Sequence, residues 1–217
     1  MKMLFSSLAA GLLVLSATAA AAQQTNPRIL LLDAQALSNR GQDEQALVLL
    51  DQVVQSEALS DQLRAIAYAQ RGNIHYRAKR YPIAQQDFAQ GLTFDARSLP
   101  ALRGNCFSLL QMRRHEEAGG PCTAAADRLV QNGQVAAAAD ILGYAAFMRR
   151  DYGTALEELN TAIRLDPAYA PAYLHRGLVY QAQKNEVLAR QDFLKARELW
   201  PGDREIEATL RQLGLLF

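Results

Sequence analysis

The sequence predicts an all-α fold: a right-handed α-solenoid of helix-turn-helix repeats with a C-terminal capping helix. Three observations carry this. First, sliding residues 170–203 back by 34 places Gly177 on Gly143, Ala189 on Ala155, Ala196 on Ala162 and Pro201 on Pro167. Second, a shift of 71, two periods plus three, carries Gly143 to Gly72, Tyr152 to Tyr81, Ala155 to Ala84 and Asp166 to Asp95. Third, one period of 34 forward from Gly72 lands on Cys106, while Tyr81, Ala84 and Phe88 land on His115, Ala118 and Cys122. A fixed period of this length in a helical pattern marks a chain in which each hairpin buries its apolar face on the next.

The recurring residues have physical work to do. Gly177 and Ala189 are small where two antiparallel helices must approach closely. Tyr173, Tyr180 and Phe193 fill the space beside that contact. Pro201, like Pro167, follows a second helix, where proline ends a helix without interrupting it. This small-aromatic-Ala-aromatic-Ala-Pro order resembles the tetratricopeptide repeat family. The resemblance covers residues 27–203 and is strongest in the last two units.

Residues 1–22 hold Lys2, an apolar run from Leu4 to Leu15 and Ala20-Ala21-Ala22 before Gln23. That layout is expected of a secretory signal cut after Ala22, with an uncleaved membrane anchor as the alternative. The first cysteine is Cys106, far from the cut, which argues against a lipoprotein. The chain carries 23 Lys and Arg against 22 Asp and Glu. Removing Lys2 with the signal makes the balance 22 to 22, a formal charge of zero. A neutral chain gives no sign of binding nucleic acid. The charge is uneven, however: residues 61–114 hold Arg64, Arg71, Arg77, Lys79, Arg80, Arg97, Arg103, Arg113 and Arg114 against Asp61, Asp87 and Asp95.

Five units are expected, at about 27–60, 65–98, 99–132, 136–169 and 170–203. The first keeps Gly41 at its turn and Ala46 on its second helix but lacks the aromatic contacts, as terminal repeats often do. Ser60 and Asp61 cap the second unit, and Pro82 sits harmlessly in a first turn. In the third unit Gly119-Gly120-Pro121 falls where the second helix should begin, so that helix is expected to start late, near Pro121. Cys106 and Cys122 take the places of the small residue and the aromatic at one level of this hairpin. A disulfide is expected between them, with two buried thiols as the alternative. Gln131-Asn132-Gly133 absorbs the three extra residues. After Asp203, Ile206, Leu210 and Leu213 mark a capping helix, onto which Leu215-Leu216-Phe217 is expected to fold.

No catalytic constellation is legible, and neither a cofactor nor a metal is expected. His115-Glu116-Glu117-Ala118-Gly119 lacks the second histidine of a zinc-protease helix, and no phosphate-binding or nucleophile-elbow motif occurs. A binding role reads better. A second stripe on the first helices comprises Asn73, Tyr76 and Arg77, then Arg103, Phe107 and Leu110, then Asp140, Tyr144 and Phe147. In the family this chain resembles, first helices line a concave groove that binds extended peptides or partner helices. The resemblance therefore implies a partner-binding role for Asn73, Tyr76, Arg77, Arg103, Phe107, Asp140, Tyr144 and Phe147. The family's clamp for terminal carboxylates is matched only loosely, at Asn73, with Ala69, Gln70 and Gly104 where polar or basic groups would be expected. The expectation is an exported, periplasmic or envelope scaffold for a protein or peptide partner. A self-associating module, hence a homo-oligomer, and an accessory subunit of an envelope enzyme are the alternatives.

Overall fold

The structure, a computed structural model, describes residues 26–56 and 59–215. The expected signal (1–22) and the last two residues of the apolar tail, Leu216 and Phe217, lie outside these. Eleven helices and no strand occur among the described residues, an all-α helical repeat fold. The chain divides into two compact units between Ala101 and Leu102.

The first unit holds α1 (Pro27–Asn39), α2 (Asp43–Gln55), α3 (Asp61–Arg77) and α4 (Tyr81–Phe94). Asn26 starts α1 by accepting the Arg28 N–H through its side chain at 3.0 Å, and Pro27 fits the first helical position. Gly41, at φ 78°, makes the turn to α2. Leu31, Ala34, Ala46, Leu47, Leu50 and Val53 then bury between the two helices and against Ala67 and Ile74 of α3. Ser60 Oγ accepts the Leu63 N–H and fixes the start of α3 at Asp61, four residues ahead of the repeat frame. Gly72 lets α3 approach α4 closely. A Cβ there would lie 2.8 Å from Cε1 of Phe88, a ring with no exposed surface. Burying such a ring contributes about 1.5–3 kcal/mol.

The second unit begins within α5 (Leu99–Gln111) and continues through α6 (His115–Gln131), α7 (Val135–Met148), α8 (Tyr152–Leu165), α9 (Ala170–Ala182), α10 (Glu186–Leu199) and α11 (Arg204–Gln212). Two of its hairpins repeat the close approach. A Cβ at Gly143 would sit 2.7 Å from Cγ of Leu159, and one at Gly177 would sit 2.6 Å from Cε1 of Phe193. Each pair is sixteen residues apart, the separation of Gly72 and Phe88. The third hairpin has a covalent bond at the same separation: Cys106 and Cys122 are joined by a disulfide with Cα atoms 4.8 Å apart.

One expectation is overturned. The second helix of the third hairpin does not start at Pro121 but at His115, with Gly119, Gly120 and Pro121 inside it. Pro121 forgoes one N–H bond to the carbonyl four residues back, and glycine weakens a helix by about 1 kcal/mol. Against that, Ala118, Cys122, Ala125, Ala126 and Leu129 form a continuous buried stripe that needs the helical register from its first turn. Packing and the bond to Cys106 outweigh the local preference. The capping helix α11 buries Ile206 and Leu210 against Phe193, Ala189 and Leu174, and Leu213 and Leu215 pack beside them.

Candidate functional site

Of the expected binding residues, three lie in the first unit. Asn73 is exposed on α3. Tyr76 is half-buried and meets Tyr81 edge to face, ring centres 5.4 Å apart. Arg77 is engaged within the unit: its Nη2 donates to Asp43 Oδ1 at 2.8 Å and to Ser38 Oγ at 2.7 Å.

The other five come together in the second unit. Tyr144 stands at the centre, 5.2 Å from the Phe107 ring, 6.1 Å from Phe147 and 4.4 Å from His175. Gln111 donates to the Tyr144 hydroxyl at 3.0 Å. Asp140, 3% exposed, lies 2.7 Å from Nδ1 of His175 across α7 and α9. Asp140 and Tyr144 are thus interior groups that fix successive first helices, and a partner cannot reach Asp140. Phe107 and Phe147 remain half-exposed, and Arg103, about one helical turn before Phe107 on α5, is exposed. Burial pushes the Tyr169 hydroxyl far above the ordinary phenol range, and the nearby Asp140 charge adds to it.

Sequence reasoning missed His175 as the partner of Asp140. It also missed a network repeated in the second and fifth hairpins. Arg71 donates through Nε to Asp87 at 3.0 Å and through Nη1 to Asp51 at 2.8 Å, with its guanidinium 5.3 Å from the Tyr68 ring. Arg176 does the same with Asp192 at 2.7 Å and Asn160 at 2.7 Å, 5.6 Å from the Tyr173 ring. The signal was available as Tyr-x-x-Arg-Gly followed by Asp-Phe, sixteen residues after the Arg-Gly, in both units.

A third feature lies at the turns between first and second helices. Lys79, Arg113, Arg150 and Lys184 hold φ of 58°, 59°, 64° and 61°. In each turn the N–H of that residue and of the next close back onto the helix, as Arg113 to Leu110 O and Arg114 to Leu109 O, at 2.9 Å each. Gly41 and Gly133 fill the same role elsewhere. The left-handed conformation costs a side-chain-bearing residue about 1–2 kcal/mol, and a cation at a helix C-terminus regains only about 0.3–1 kcal/mol. Glycine would be the cheaper choice at all four positions.

Around two of these turns is a cavity of about 270 Å³, wholly within the second unit, lined by Arg113, His115, Phe147, Arg149, Arg150 and Tyr152 among others. His115 Nδ1 is buried and without a hydrogen-bond partner among the described residues. Arg113 and Arg150 are exposed and form no ion pair among the described residues, whereas Arg71, Arg77, Arg80, Arg114 and Arg176 all do. Among the described residues no group of three His, Cys, Asp or Glu could hold a metal ion, and no helix is long and apolar enough to cross a membrane.

Comparison with known proteins places this geometry. Residues 143–184, α7 to α9, match the TPR repeat family. A tetratricopeptide repeat protein from Parabacteroides merdae superposes with a TM-score of 0.69 at 19% identity, covering 90% of this chain and 73% of that one. YrrB, described as a TPR protein with an unusual peptide-binding site, gives 0.58 at 19%, covering 90% and 97%. MamA from Desulfovibrio magneticus RS-1 gives 0.59 at 20%, covering 82% and 97%. No curated protein matches the chain. The likenesses establish the shared helical repeat fold, and the family match supports the resemblance read from the sequence.

Proposed function

We propose, from the premise that this chain is built of tetratricopeptide repeats, that it is a non-catalytic scaffold that binds a segment of a partner protein along its first helices. One observation carries the reading. In the second unit buried Asp140, His175 and Tyr144, with half-buried Gln111, form a frame that leaves Phe107 and Phe147 half-exposed and Arg103 exposed on the helices. Rigid aromatic and arginine groups supply binding area at low entropic cost. In the first unit Asn73 and Tyr76 offer groups of the same kind on a first helix. That YrrB is described by a peptide-binding site supports such a role for this fold here. The place of action is the periplasm or cell envelope, supported by the signal-like residues 1–22.

Photo-crosslinking in cells tests this. A photoreactive residue at Phe107 or Arg103 should capture a distinct protein, and one at exposed Gln90 on a second helix should not. Equal capture from all three positions would remove the first-helix surface from consideration, and adducts of the chain with itself alone would establish self-association instead. Intact mass of the envelope-derived protein should begin at Gln23; a chain starting at Met1 would mean an anchor.

A further inference from the structure

We propose that the turn-edge cavity of the second unit, between Arg113 and Arg150, is a docking site for an acidic segment of a partner protein. The inference rests on the reading of this chain as a protein-binding scaffold but assigns the partner's chemistry and a different surface. It shares Phe147 with the binding residues proposed on the first helices.

Four observations converge there. The cavity of about 270 Å³ has room for one or two side chains rather than a whole helix. Its rim carries Arg113 and Arg150, both exposed and neither in an ion pair among the described residues. Two acids near in sequence are occupied, since the Asp151 side chain accepts the Thr154 N–H to start α8 and Glu117 is held by Arg114, while Glu116 is exposed on α6. The wall is apolar on the other side, where Phe147 and Tyr152 stand 6.3 Å apart, and the His115 ring lies beside them with its Nδ1 buried and unpartnered among the described residues. A carboxylate with a neighbouring aliphatic or aromatic side chain fits this lining. Planar guanidinium forks bind carboxylates in pairs of hydrogen bonds, and the rings take the apolar neighbour.

The backbone adds an argument from cost. Arg113 and Arg150 occupy left-handed positions that Lys79 and Lys184 share at two other turns and that glycine fills at Gly41 and Gly133. Keeping arginine there makes the fold less stable than it needs to be, which is expected where a side chain serves binding rather than folding. A concave site with an aromatic wall suits a protein segment rather than a lipid surface, which would ask for a flat or protruding basic face.

The test uses the full chain and fluorescence anisotropy with short labelled peptides. One alternates Glu with Leu and Phe; a second replaces every Glu by Lys. The wild type should bind the first in a salt-sensitive way and not the second. The double variant Arg113→Gly/Arg150→Gly should lose about tenfold or more in affinity while its Tm does not fall, because glycine suits the left-handed turns. A merely structural role would show the reverse, a falling Tm with binding intact. Arg190→Glu, exposed on α10 and outside both proposed binding surfaces, should leave peptide affinity unchanged. The proposal is overturned if the double variant binds like wild type, or if the Lys peptide binds equally well. It is also overturned if only phosphatidylglycerol vesicles bind. Should Phe107 crosslinks capture a partner while the acidic peptide never binds, the cavity proposal falls and the scaffold reading stands.

Discussion

The third and fifth hairpins solve the same packing problem by different chemistry. In the fifth, Gly177 removes a side chain so that Phe193 can lie flat on α9, and Arg176 locks the pair through Asp192 and Asn160 while its guanidinium faces Tyr173. In the third, Asn105-Cys106 replaces Arg-Gly and Cys122 replaces the aromatic, so a disulfide stands where the ring would be. The fifth is held by area and by a charged network. The third has small residues, Gly119 and Gly120, with open space around them, and a proline in its second helix. The difference teaches that close approach of two helices is the invariant, and that either a ring on a glycine or a covalent bond can supply it.

Removing the ring should break the comparison most severely. Phe193→Ala leaves a cavity against Gly177, Ala189 and Leu210 and should cost about 3–5 kcal/mol by urea unfolding. If it costs under about 1 kcal/mol, the ring is not the closing element of that hairpin. The counterpart in the third hairpin is Cys106→Ser/Cys122→Ser. Losing a loop closure of this size should cost about 3 kcal/mol, read as a lower Tm. Thiol titration of the unfolded, unreduced wild type should find no free thiol, and finding two would dismiss the bond. Next in size is Gly177→Ala. Its Cβ would fall 2.6 Å from the Phe193 ring, and the forced displacement should cost about 1–3 kcal/mol. Gly119→Ala, in open space on α6, should instead stabilise slightly, so the two glycines should move Tm in opposite directions.

The smallest expected effect concerns pH. The second hairpin shares the frame of the fifth at an offset of 105, but His75 stands where Tyr180 stands. Burial holds the His75 pKa below the ordinary histidine value of 6.5, and Arg80 and Arg71 push the same way against the Asp87 charge. Its folded pKa being depressed, the associated stability is full above about pH 6.5 and is lost as pH falls through the folded pKa. His75→Tyr should therefore lose less Tm than wild type between about pH 7 and about pH 5.5. An identical loss in both would show that His75 contributes nothing to acid sensitivity.

Much of this was legible without coordinates. The 34-residue period, with glycine and a large residue sixteen apart, depends only on local helical geometry, so the all-α repeat and the facing of Cys106 and Cys122 could be read from spacing alone. Pattern could not show how competing terms add up in space. It predicted a late start at Pro121, but the buried stripe from Ala118 to Leu129 carries the helix through two glycines and a proline, because packing is summed over a whole face. It placed Asp140 and Tyr144 on a binding stripe, since a stripe on one helix does not reveal what the next helix sets against it. His175 and Gln111 do that, from 35 and 33 residues away. Nor could it show which arginines are neutralised and which stay free. That depends on side chains meeting across turns, where Arg77 finds Asp43 and Arg150 finds no acid among the described residues.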